Sequence, residues 1–203
     1  MTHAARLALF ATLSAIGFTS SAQNAAVSSQ VTHYETPGNL ESTHTLGCIG
    51  PDKILNTYTP ADLYPAVASC IVQGSTDDAI YLYVVAGAYG QYDVLRVADK
   101  TAHDAPTLLR LHAFTPVGTE RMQQFSSRVL PFLQDDTKHL ALCYKLLHLG
   151  PPRYFPRYMI QHGMDAFLKP GASGQVLDID PVTNWLQIMK DYVQCDVALP
   201  KSD

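Results

Sequence analysis

Residues 59–96, TPADLYPAVASCIVQGSTDDAIYLYVVAGAYGQYDVLR, decide the fold, because two apolar stretches follow one another there with one break at Gly74. Thr59, Pro60 and Asp62 supply a cap, a proline at the first helical position and an acid in the first turn. They predict a helix from Pro60 to about Val72 that stops at Gly74. Ser75 restarts the pattern: with Asp78 it has capping-box spacing, and Tyr81, Val84, Val85 and Ala88 then recur at helical intervals. A buried strand over Ile80 to Val85 is the alternative, since β-branched and aromatic residues suit it. Gly87 and Gly90 share one register, with Ala86 and Ala88 beside them, so a second helix here carries a small-residue patch open to close approach. Each glycine costs about 1 kcal/mol relative to alanine.

Outward from this pair, residues 101–113, 119–133, 137–149, 156–168 and 181–195 show apolar residues three and four apart, punctuated by caps, Pro and Gly. The last is clearest: Asp180 caps Pro181, and Trp185, Ile188, Met189, Tyr192 and Cys195 form one stripe. Pro106 and Pro131 fall inside two segments, which therefore start later or kink. The expected fold class is all-α, a compact bundle of six to seven short helices with short connections. Residues 58–203 form this helical domain, and residues 23–57, rich in Ser, Thr, Gly, Asn and Ala, precede it as a loosely ordered arm.

Residues 1–22 read as a secretory signal peptide: Arg6, an apolar run from Leu7 to Phe18, and the small residues Thr19 to Ala22, with cleavage expected after Ala22. That run is too short for the roughly 20 residues that span a bilayer, and so is Ala79 to Ala88. The expected location is the periplasm, without membrane insertion. All four cysteines follow the cleavage site, and an even number in an exported chain argues for two disulfides rather than a metal site or free thiols. Three connectivities are possible. Sequence-near pairing, Cys48–Cys70 and Cys143–Cys195, is the simplest and divides the chain into two stapled regions.

A net charge of −4, from 14 basic and 18 acidic residues, gives no positive field for a nucleic-acid backbone. No HExxH, GxSxG, SxxK or glycine-rich phosphate loop occurs. Asp99 and His103, four apart with Arg96 preceding them, are the best candidates for acid–base or metal chemistry, although an ordinary ion pair explains them too. The pairs His103/His112 and His139/His148 are nine apart, on opposite faces of a helix. Ser173, within Gly171-Ala172-Ser173-Gly174, is the nearest approach to a nucleophile and reads as a loop residue. Asp77-Asp78 and Asp135-Asp136 stand at helix starts, where acids meet the helix dipole favourably. No catalytic residue, metal ligand or cofactor is assigned.

What stands out is Pro151 to Tyr158, where Arg153, Tyr154, Phe155, Arg157 and Tyr158 lie among three prolines. This is the composition of binding hot spots, stiffened against entropy loss on docking. Tyr89 and Tyr92 form a second aromatic cluster. These seven residues are the candidate partner-binding set.

The stretch from Ala86 to His103, AGAYGQYDVLRVADKTAH, following a signal peptide in a small helical protein, resembles small periplasmic helical immunity proteins that guard bacteria against toxins of type VI and type IV secretion systems. The resemblance implies a stable protein that binds and occludes one cognate toxin without a cofactor. The alternatives are an exported hydrolase or metal-binding enzyme using the Asp99/His103 region, and a structural envelope-associated helical module.

Overall fold

The computed structural model describes residues 35–168 and 175–197. The signal-peptide segment, its cleavage site and Ser173 lie outside the described residues. Among the described residues there are eight α-helices and no β-strand beyond one isolated bridge, Val97 to Val176. The helices are α1 (Pro60–Gln73), α2 (Thr76–Arg96), α3 (Ala105–Phe114), α4 (Thr119–Gln134), α5 (Asp136–Leu149), α6 (Arg157–Ile160), α7 (Met164–Leu168) and α8 (Pro181–Asp191). No helix of the described residues is long and apolar enough to cross a membrane.

Helix α1 starts on the expected capping box, with Thr59 and Asp62 each bonding the other's backbone N–H. It ends at Gly74, whose φ of 79° is the left-handed conformation that lets Ser75 N–H reach Cys70 O at 3.0 Å. Helix α2 then runs unbroken through Ile80 to Val85, so the strand alternative is not adopted. Its start differs from expectation: Ser75 makes no side-chain cap bond, and the first turn is met by Asp77 and Asp78. The small-residue patch is used by side chains rather than by backbone. A methyl on Gly87 would overlap the Tyr192 phenol, and one on Gly90 would lie 2.9 Å from Pro106 Cβ.

Three other boundaries depart from the sequence pattern. Residues 101–113 give a short 3-10 turn at Lys100–Ala102 and then α3, which begins beside Pro106 because proline fits only the first turn. Pro131 stays inside α4. The single helix expected over 156–168 is two, α6 and α7, separated where buried Gly163 passes so close to Asp99 that a Cβ would strike the carboxylate. Helix α8 stops at Asp191, short of Cys195, because Gln194 takes a left-handed φ of 64° and Cys195 N–H turns back to Met189 O.

Helix α2 is the axis of the bundle, packing on α1, α4 and α8. An aromatic layer of Tyr64, Tyr83, Phe114 and Phe125 joins α1, α2, α4 and the end of α3 through edge and tilted ring contacts. The staples are Cys48–Cys70 and Cys143–Cys195, the sequence-near pairs. In the chain-entropy account loops of 22 and 52 residues are worth about 3 and about 4 kcal/mol. Residues 35–57 hold no α-helix, as expected of an arm, yet they are fastened. Fully buried Asp62 accepts from Thr43 N–H at 2.6 Å and His44 N–H at 2.7 Å, and Leu40 N–H reaches Tyr158 O.

Candidate functional site

The proline-rich loop begins where α5 ends. Gly150 there has a φ of 75°, and its carbonyl accepts from the Tyr89 hydroxyl at 3.1 Å. Asn56 ties both sides of the turn: its Nδ2 donates to Leu149 O, and its carbonyl accepts from Arg153 N–H at 2.8 Å. Beyond this point the chain is organised by Asp93, a fully buried carboxylate on α2. Tyr154 and Tyr158 both donate to its Oδ2, at 2.8 and 2.7 Å, while Arg96 Nε donates to Oδ1 at 2.8 Å. The Arg96 guanidinium lies 5.3 Å from the Tyr92 ring centre and 5.1 Å from that of Tyr154, within cation–π range.

Burial pushes the Asp93 carboxyl above the usual aspartate range, against the pull of Arg96 and the two phenols. Burial, and then the Asp93 charge, drives the Tyr154 and Tyr158 phenols well above theirs. The cluster is closed on itself as a structural network, with Arg96 Nη2 buried 2.7 Å from Asp93 Oδ1 as an ion pair but without a hydrogen bond of its own among the described residues.

This placement divides the candidate binding set by burial. Tyr89, Tyr92 and Tyr158 are buried, and Tyr89 packs on Trp185 at 5.4 Å between ring centres. Tyr154 turns its hydroxyl inward. Three of these phenols are turned inward by a hydrogen bond, Tyr89 to Gly150 O and Tyr154 and Tyr158 to Asp93, while Tyr92 is buried under the Arg96 guanidinium. Arg153, Phe155 and Arg157 remain outside, with Phe155 57% exposed. Arg157 also donates to Pro37 O at 3.3 Å.

The larger apolar surface is one the sequence pattern did not mark. On α5, Leu140, Tyr144 and Leu147 stand at i, i+4 and i+7, and Leu140 and Tyr144 are 56% and 66% exposed. A cleft lies on either side of this ridge. One, of about 440 Å³, is lined by Pro51, Ile54, Tyr81 and Val85 and rimmed by the Lys145–Asp52 ion pair and His148. The other, of about 380 Å³, is lined by Asp136, His139, Cys143, Gln194 and Asp196. A signal for the ridge was present: α5 carries apolar residues on more of its circumference than one buried face uses, with only Leu142, Cys143 and Leu146 in the core.

The Asp99/His103 pair is not a helical i, i+4 face. Helix α2 ends at Arg96, whose side chain turns inward to Asp93, and Asp99 caps the 3-10 turn. Burial, which would raise the Asp99 carboxyl, is outweighed by hydrogen bonds from Thr101 and from Asp165 N–H, so it lies below the usual range. His103 is spent on Val97 O at 2.8 Å. The clefts beside α5 hold one histidine each, and His112 is exposed elsewhere on α3. The acid pairs behave as expected at helix starts: Asp135 caps α5, and Asp77 pairs with Lys138 at 2.8 Å.

Compared with known protein families, curated proteins and solved structures, the chain matches none.

Proposed function

We propose that this chain is an exported immunity-type protein that binds and neutralises one cognate toxin in the periplasm. The observation that supports it is the Leu140–Tyr144–Leu147 ridge between its two clefts. A large exposed apolar surface with tyrosine and leucine at its centre is what a docking face needs and what a monomer otherwise avoids. Asp52, Asp136 and Asp196 on the rims outnumber Lys145, and the whole chain is acidic, so the toxin's docking surface is apolar at its centre and basic at its edge. Phe155, between Arg153 and Arg157, adds a second contact. Two disulfides suit an exported protein.

The test begins with affinity capture on oxidised residues 23–203, followed by exporting the captured protein into a bacterial periplasm with and without this chain. Toxicity relieved by co-expression, and a nanomolar complex weakened about 5- to 30-fold by Tyr144→Ala, Leu147→Ala or Phe155→Ala, is the expected outcome. A captured protein that is harmless in the periplasm, or an affinity unchanged across all three variants, overturns the proposal. Retention on peptidoglycan or membrane fractions instead of a protein complex would put the envelope module in its place.

A further inference from the structure

The second disulfide sits against a histidine. His139 and Cys143 are one turn apart on α5, and Cys195 returns from beyond α8 to meet them. A ring nitrogen of His139 and the two sulfurs lie within 4.8 Å of one another, and Nε2 is 3.8 Å from Cys143 Sγ. Both sulfurs are buried and the imidazole is half-buried. The 380 Å³ cleft opens onto Cys143 and His139 and brings two carboxylates, Asp136 and Asp196, to the same hollow. Imidazole plus two thiolates, with an oxygen donor at hand, is the donor set of a tetrahedral zinc site, and an i, i+4 pair on one helix is a usual way to present two of its ligands.

We propose that reduction of Cys143–Cys195 converts this staple into a zinc site held by His139, Cys143 and Cys195, with water, Asp136 or Asp196 in the fourth position. A dithiol reductant gives two electrons and two protons to the S–S bond and leaves as its own disulfide, so two cysteine thiols form. Zinc(II) then binds both sulfurs and releases their two protons to solvent. His139 Nε2, which now donates to Val193 O at 3.0 Å, gives up that hydrogen bond and its proton to solvent, and Nδ1 takes a proton from solvent, so the ring stays neutral with the Nε2 lone pair facing the metal. The C-terminal segment is thereby tied to α5 in both redox states, by sulfur–sulfur in one and by zinc in the other.

The whole protein, oxidised or reduced with a phosphine, is titrated with cobalt(II) and zinc(II). Expected for the reduced chain are one metal per chain, a thiolate-to-cobalt charge-transfer band and tetrahedral d–d bands, with neither band in the oxidised chain. His139→Gln should weaken zinc binding at least tenfold, and Cys143→Ser/Cys195→Ser should abolish the charge-transfer band. If that band survives the double variant, the thiols belong to Cys48 and Cys70 and the proposal fails. It fails equally if His139→Gln binds zinc as well as the parent. Should reduction unfold the chain, zinc is expected to restore the helical circular dichroism of the parent and not of His139→Gln; no restoration in the parent also refutes it.

Discussion

Arg96→Met tests whether the buried Asp93 cluster is held by charge. Methionine keeps much of the apolar volume between Tyr92 and Tyr154 and deletes the only cation among the described residues within hydrogen-bond reach of the carboxylate. Removing one member of a buried pair costs about 3–5 kcal/mol. The carboxyl has an escape, which is to take a proton, and this caps the electrostatic cost. At pH 7 an aspartate whose ordinary value is 3.8 can lose no more than about 4.4 kcal/mol before it is neutral in the folded state. The sign follows: burial already raises the folded pKa of Asp93, and losing Arg96 raises it further. The penalty is therefore full at neutral pH and shrinks as pH falls through the raised value, by up to about 1.4 kcal/mol per pH unit. Urea unfolding followed by circular dichroism should show a loss of about 2–4 kcal/mol at pH 7, a Tm lowered by roughly 4–16 °C, and a much smaller difference at pH 5. A loss below about 1 kcal/mol, or one independent of pH, refutes a charge-held cluster.

Tyr158→Phe removes one donor to the same carboxylate and should cost about 1.5–3 kcal/mol by urea unfolding, the range for hydrogen bonds to charged groups. Cys143→Ser/Cys195→Ser opens a 52-residue loop and should lower stability by about 4 kcal/mol in thermal unfolding without zinc. Asp99 lies below the usual carboxylate range in the folded chain, so its contribution is present above about pH 4 and is lost as pH falls through its lowered value. Asp99→Asn should accordingly lower Tm at pH 6, with the gap to the parent closing toward pH 3; a constant gap would contradict this.

The helical class, the α1 cap and the α8 cap were legible because each rests on neighbours in sequence, and the two disulfides because an even number of cysteines pairs most simply in chain order. Thr59 needs only Asp62, and Asp180 needs only Thr183. The errors arose where a distant group decides the backbone. Gly163 breaks the helix after Ile160 because Asp99, more than sixty residues earlier, occupies the space a side chain would need. Ser75 had the spacing of a capping box but not the side-chain bond. Composition marked the tyrosines of residues 151–158 and could not say which way they face. That direction was partly written in α2: Asp93 stands four residues after Tyr89 and three before Arg96, on the apolar stripe, so an acid had to be buried there and had to find donors.

The same tyrosines that look like contact residues act one step back from the surface. Tyr154 and Tyr158 both hang from Asp93 Oδ2, so the chain between them is fixed at both ends, and Phe155 and Arg157 project from a segment that has little freedom left to lose. Pro156 adds to this, as does the Arg157 bond to Pro37 O. Association otherwise costs about 0.5–1.5 kcal/mol for each side chain that must be ordered at the interface. Under the proposed function, part of that ordering is done during folding, by the buried Asp93 carboxylate. The proposed docking of Phe155 therefore predicts that stability of the Asp93 cluster and affinity for the partner are coupled through the loop. On that reading Tyr158→Phe should weaken the complex as well as the fold, although the Tyr158 side chain is buried.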